Sequence, residues 1–194
     1  MRSEAKQKSL AAYLIVFVLI TIIDSLLARF AVVAYPIAPG VAAIYFSVPF
    51  MIAFALWFGA WGAIAAYIGC FIGAGVLSGI PTGIDLYWSL ADLWQVLIPL
   101  IAFRKLDADV NLKTRKDLLT FLVFGWILNN LIGACWGATT LAVGGLAPWS
   151  EVPSILISWL VTNLIVTIAI TPLLLRFATP YIQRTGVYVR KYWS

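Results

Sequence analysis

Residues 10–33 read LAAYLIVFVLITIIDSLLARFAVV, an apolar run longer than the roughly 20 residues that carry a helix across a bilayer. Only Asp24 and Arg29 interrupt it with charge. The run is too long for the apolar core of a signal peptide, and no small-residue cleavage site follows Tyr35. It is therefore expected to stay in place as a first membrane span. Working outward, apolar runs of the same kind recur, separated by Pro, Gly or charge, and predict helices at about 40–58, 62–78, 86–103, 118–143 and 154–176. Pro36, Pro39 and Gly40 are expected to end the first helix. Gly59 and Gly62 bracket a tight hairpin, Gly79, Pro81 and Gly83 make the next turn, and Gly144, Gly145 and Pro148 make the last.

Composition agrees with lipid as the solvent. The chain has 194 residues, of which 63% are hydrophobic and 11% charged, with mean hydropathy +0.99, a balance that a soluble domain of this size does not show. One domain, residues 1–194, accommodates six spans, and no internal repeat suggests a paired transporter. Histidine is absent, which removes the usual haem ligand, the commonest zinc ligand and the commonest general base. No metal, redox group or other cofactor is expected. Cys70 and Cys135 lie in Gly/Ala-rich apolar stretches without CxxC spacing and read as small packing residues. The net charge of +5 is the ordinary excess of cytoplasmic loops and not a nucleic-acid footprint.

Orientation follows from the 13 Lys and Arg residues. Arg2, Lys6 and Lys8 precede the first helix; Arg104, Lys105, Lys113, Arg115 and Lys116 join the fourth to the fifth; Arg176, Arg184, Arg190 and Lys191 follow the sixth. Only Arg29 is left over. The loops 34–39, 79–85 and 144–153 hold no Lys or Arg, so the positive-inside rule predicts an all-α polytopic membrane protein with six transmembrane helices and both termini cytoplasmic. Trp88, Trp149 and Tyr35 at outer ends, with Tyr192 and Trp193 in the tail, suit an interfacial belt.

With that topology the polar side chains inside the spans are biased to the outer half. Asp24 and Arg29 lie on helix one, Asp92 and Gln95 on helix four, Asn129 and Asn130 on helix five and Asn163 on helix six. Ionisable groups in a bilayer cost roughly 2.5 to 3.5 kcal/mol each on insertion scales and face a partner or a wet cavity. Arg29, Asp92, Gln95, Asn129 and Asn163 are therefore candidate substrate-binding residues, with Trp88 or Trp136 covering an apolar ring of the ligand. In that reading Arg29 meets an anionic group of the ligand. The competing reading makes Arg29 a snorkelling side chain, the amides interhelical glue and the tryptophans packing. Arg29 and Asp24, five residues apart and about 140° around the helix, are poorly placed to neutralise one another. Ala65, Gly69 and Gly73 on helix three, and Gly125, Asn129, Gly133 and Gly137 on helix five, form four-residue stripes that allow close helix contact, within the bundle or with another subunit. No catalytic constellation is present without His, and no GxxxxGK[ST] loop allows direct use of ATP. The chain is not expected to be an enzyme.

Residues 54–79, FALWFGAWGAIAAYIGCFIGAGVLSG, resemble the second and third helices of the substrate-binding S components of energy-coupling factor vitamin transporters. Residues 86–105 and the six-span plan fit the same family. The resemblance implies an outward cavity for a vitamin-like molecule, capped by the outer loops after helices one and three, with a coupling subunit and ATPases as partners in a prokaryotic plasma membrane. Helix one departs from that pattern: its small residues Ala11, Ala12, Ala28 and Ala31 lie near its ends. The sequence is similar, almost equally, to the multi-pass membrane-associated sensor domains found ahead of signalling kinases and cyclases. There the segment Ala38-Pro39-Gly40-Val41-Ala42, the same hairpin, and a last span ending Thr171-Pro172-Leu173-Leu174-Leu175 recur. That likeness implies a sensory module acting through a separate signalling partner.

Overall fold

A computed structural model describes residues 9–33 and 44–193. The described chain is all-helical apart from one two-residue ribbon. Its helices are α1 (Leu10–Phe30), α2 (Ser47–Phe58), α3 (Ala60–Ser78), α4 (Thr82–Lys105), α5 (Arg115–Val143) and α6 (Trp149–Ile182). Five of them, all but α2, are long and apolar enough to cross a membrane. Leu and Ile side chains stand exposed along α1, α5 and α6, the surface expected of helices that meet acyl chains.

The sequence reading placed six helices, and six are found; the largest departure concerns the second. Expected over 40–58, α2 begins only at Ser47, because Ile44–Tyr45 (β2) leave the helix to pair antiparallel with Val32–Val33 (β1). The first helix accordingly ends at Phe30 and not at Val33. The expected stop signals Pro36, Pro39 and Gly40, the basic residues Arg2, Lys6 and Lys8, and Tyr35 lie outside the described residues. Pro49 sits in the first turn of α2, where its missing N–H leaves no hydrogen bond unmade. Ten of the twelve residues of α2 are buried, as suits a helix that is apolar on every side. It packs against α1, α3, α4 and α6.

The long helices carry local defects with identifiable causes. Ser89 interrupts α4, and Pro99 lies further along it; α6 contains Pro172, followed by a widened turn at Leu174–Ala178. The start of α4 at Thr82, earlier than the expected 86, takes Asp85 out of the predicted loop and buries it completely.

The expected glycine hairpin is present. Gly59 adopts φ +63°, and a Cβ there would strike the Val189 side chain at 2.9 Å and the backbone carbonyl of Tyr192. Arg104, at the end of α4, fastens this corner. Its guanidinium donates to Leu56 O (2.8 Å), Val189 O (2.8 Å) and Lys191 O (2.9 Å), tying the end of α2 to the C-terminal tail. The tail adds Val189 N to Trp57 O and Ala60 N to Tyr192 O, both 2.8 Å. Tyr13 Oη reaches Gly186 O, so the start of α1 and the tail lie at the same end of the bundle. The loop between α4 and α5 is at this end too. There Asp117 accepts from Asp109 N and Thr114 N in a capping box at the start of α5. Partial burial disfavours charge on Asp109, but the Asn111 backbone and side-chain donors and the Lys113 ammonium outweigh it and hold the carboxyl below the usual carboxylate range.

Candidate functional site

The polar side chains singled out on the inner helices are buried, and the amides of α4 and α5 join Thr167 of α6 in one interior seam. Asp92 and Gln95 on α4, Asn129 and Asn130 on α5 and Asn163 on α6 are at most 2% exposed. Gln95 Nε2 donates to Asn130 Oδ1 at 3.0 Å, and Asn129 Nδ2 to the Gln95 carbonyl at 3.3 Å. Asn130 Nδ2 reaches Trp126 O at 2.7 Å and Thr167 Oγ1 at 3.3 Å, which brings α6 into the same network. Asn163 stands one turn from Thr167 on that helix. The interhelical bonding expected as the plain alternative is thus real for Gln95, Asn129 and Asn130, and it leaves several atoms over.

Those atoms are specific. Gln95 Oε1, Asn129 Oδ1, Asn163 Nδ2 and Trp88 Nε1 are buried and have no hydrogen-bond partner among the described residues. An unmade hydrogen bond of this kind costs about 1 to 3 kcal/mol, and these four atoms come from three helices. Two are acceptors and two are donors. Such a set can read a neutral molecule that carries both N–H and C=O groups.

Glycines create the room for these side chains. A Cβ on Gly133 would meet Gln95 Cδ at 2.6 Å, and one on Gly137 would enter the Trp159 ring. On the other side of the bundle Gly69 faces Asp24, and Gly73 faces Ser25 and Ala28 of α1. Both small-residue stripes therefore serve contacts inside the bundle. Trp88 is 3% exposed and tilts against Trp159 with ring centroids 5.8 Å apart, so it belongs to the interior and not to the interfacial belt.

Two candidate residues do not join the seam. Arg29 is exposed on α1, its guanidinium carbon 5.6 Å from the Phe30 ring centroid. Asp24, five residues earlier, faces inward, and the helix turn that separates them is the reason Arg29 faces away. Trp136 lies on the outer surface of α5, where its Nε1 donates to Tyr87 O at 2.7 Å and its ring meets Trp94 edge-on at 5.9 Å. It borders a separate groove of about 550 Å³ lined by Ile84, Tyr87, Ile132, Cys135 and Val143. That groove is predominantly apolar, with Thr139 and Thr140 also on its wall.

A second polar group sits between α1, α2, α3 and α4, and sequence reading captured only part of it. Ser47 Oγ donates to Asp24 Oδ1, and Tyr45 Oη donates to Asp92 Oδ2 at 3.0 Å, with the Cys70 thiol beside Asp92. Ser47 and Tyr45 carried no periodic signal, since both fall inside the apolar run expected to form a helix over 40–58. Ser89 Oγ likewise donates to Asp85 Oδ1 at 2.8 Å. Among the described residues no group of three or more Cys, Asp or Glu side chains could hold a metal ion. No protein-family model, curated protein or solved structure matches the chain.

Proposed function

We propose that the chain is a membrane-embedded small-molecule binding subunit for uptake, energised by a partner ATPase module. One observation carries this reading: the buried seam at Gln95, Asn129, Asn163 and Trp88 holds unmatched donors and acceptors from three helices. A ligand that supplied the missing partners would recover hydrogen bonds in a medium that offers no water to replace them. Small-molecule sites combine a few such anchors with aromatic walls, here Trp88 and Trp159. With Arg29 facing away, the proposed ligand is a vitamin-like molecule read by amides and not by a guanidinium.

In this proposal the chain crosses the membrane six times with both termini cytoplasmic. The short α2, about 18 Å long at 1.5 Å per residue, makes one crossing together with β2, and the basic end formed by the tail and the α4–α5 loop faces the cytoplasm. Uphill transport must be driven by a partner or an ion gradient, and the proposal takes the partner, because the sequence has no phosphate-binding loop with which to use ATP directly. Sensing through a separate signalling protein is the second reading. It is favoured by the tail, which is held on the α2–α3 corner by Arg104 and lies where a partner could take it up.

The test is a thermal-unfolding screen of the purified chain against vitamins and their precursors, followed by uptake into liposomes. A hit should raise the unfolding midpoint, and the chain alone should bind it without ATP-dependent accumulation. Accumulation by the isolated chain would refute the partner; no stabilising compound in the class would refute the uptake role.

A further inference from the structure

Several cations at the tail end of the bundle are answered by no carboxylate. Asp117 is buried in the capping box of α5, and Asp109 is paired with Lys113 at 3.6 Å. Among the described residues Arg115, Lys116, Arg176 and Arg184 have no carboxylate within ion-pair distance, and all four side chains are exposed. Arg176, on the widened turn of α6, reaches Asn111 O at 3.5 Å. That contact sets it against the α4–α5 loop, at a point two residues before Lys113 and four before Arg115. The bond is long and engages a single N–H of the guanidinium, whose remaining donors are free to meet an anion.

The same stretch of α6 carries an apolar stripe. Leu173, Phe177 and Tyr181 stand four residues apart, so they follow one another along the helix, and Phe177 and Tyr181 are 68% and 70% exposed. Arg184 N donates to Tyr181 O at 3.0 Å, which carries the chain through one more turn and puts Arg184 just past the end of the stripe. Towards its other end α6 remains apolar on the outside, with Ile157, Val161 and Ile165 exposed, as a helix within a bilayer requires. A partner that matches this surface is negative at one end and apolar along the rest. An acidic peptide would answer the arginines and leave Leu173, Phe177 and Tyr181 uncovered. A lipid without net charge would do the reverse.

We propose that Arg176 and Arg184, with Leu173, Phe177 and Tyr181, form a binding surface for one anionic phospholipid. Its acyl chain lies along the apolar stripe, and its phosphate meets the two guanidinium groups, whose planar donors suit phosphate oxygens. Arg115 and Lys116 add to the positive field around the headgroup. The bound lipid steadies the contact between α6 and the α4–α5 loop, because Arg176 touches that loop. The proposal requires only that the long helices lie in a bilayer. It is independent of any ligand in the seam and of which leaflet holds this end.

Two measurements on the full chain test it. In the first, native mass spectrometry of the chain in mild detergent follows the first lipid bound as phosphatidylglycerol or phosphatidylcholine is added. Phosphatidylglycerol should bind more tightly, by about fivefold for each cation it meets. Arg176→Gln combined with Arg184→Gln should bring the two lipids close to equal affinity. Lys105→Gln combined with Arg190→Gln removes the same charge beside the tail and should leave most of the preference. In the second, the unaltered chain in phosphatidylcholine membranes is irradiated with phosphatidylglycerol or phosphatidylcholine carrying a photoreactive acyl chain, so that the result does not depend on the variants folding. Adducts within residues 173–184 should be enriched for phosphatidylglycerol. Equal affinity for the two lipids would overturn the proposal and leave the cations to a protein partner. A preference that survives Arg176→Gln with Arg184→Gln, or that both double variants lose equally, would overturn it as well, and so would adducts distributed alike for both lipids.

Discussion

Gly69 shows how a single missing side chain makes room for a buried carboxyl group. A Cβ at this position would lie 2.7 Å from Asp24 Cβ and closer still to its Oδ2, and neither α1 nor α3 has slack at that depth. Gly69→Ala should therefore destabilise the protein by roughly 1 to 3 kcal/mol, the usual cost of overpacking. Gly83→Ala, where a Cβ meets nothing within 4 Å, should stay within about 0.5 kcal/mol of the parent. Thermal unfolding of both variants in one detergent checks the difference; equal midpoints would show that α1 does not pack on α3 as described. At this scale the sequence was informative about burial and uninformative about direction. Asp92, Gln95, Asn129 and Asn163 could be read as inward because a polar group in an apolar run must face protein. That Asn163 and Gln95 would each keep one atom unpaired depends on the orientation of a side chain, which no spacing specifies. Arg29 was legible only as a residue on a different face from Asp24. Which of the two faces looked inward depended on Ser47, which comes from a distant part of the chain.

At the scale of elements, the corner between α2 and α3 is the best-determined junction, and a side chain from α4 secures it. Arg104 gives three hydrogen bonds to carbonyls on two segments, and its planar fork fits them where a lysine ammonium would not. Arg104→Ala should release residues 186–193 and cost roughly 2 to 4 kcal/mol. Arg104→Lys should restore only part of this. Limited carboxypeptidase digestion would report the release directly: the tail of the parent should resist, and that of Arg104→Ala should be trimmed under the same conditions. A tail equally resistant in both would mean that Arg104 is not what holds it. The sequence supplied the glycine hairpin here: Gly59 takes the positive-φ turn, and Gly62, inside α3, lets that helix approach the backbone of α2 at Phe54. It counted Arg104 only as a positive charge fixing orientation, because a charge pattern does not reveal which carbonyls a guanidinium finds. The shortened α2 was also hidden: an apolar run carries no period that separates a strand of two residues from the helix that follows.

For the whole molecule, the start of α1, the α4–α5 loop and the tail are gathered at one end of the bundle, and the topology proposed from the distribution of Lys and Arg puts that end in the cytoplasm. Which side of the membrane that end occupies is settled by labelling. Single cysteines placed at Thr82 and Ser150, in a background lacking Cys70 and Cys135, should react with an impermeant maleimide in intact cells, and one at Thr114 should not. External labelling at 114 would invert the orientation. The account as a whole stands on the seam as the place where a ligand is bound, and its most direct test is titration of the compound that the thermal screen selects. The parent should be compared with Gln95→Ala and Asn163→Ala, with the exposed Ser150→Ala as control and unfolding curves to show that each variant is folded. Removing one buried hydrogen-bonding partner of the ligand should weaken binding by about 1 to 3 kcal/mol, roughly 5- to 150-fold, and the control should bind as the parent does. If both seam variants are folded and bind as tightly as the parent, the seam is structural and the ligand is held elsewhere.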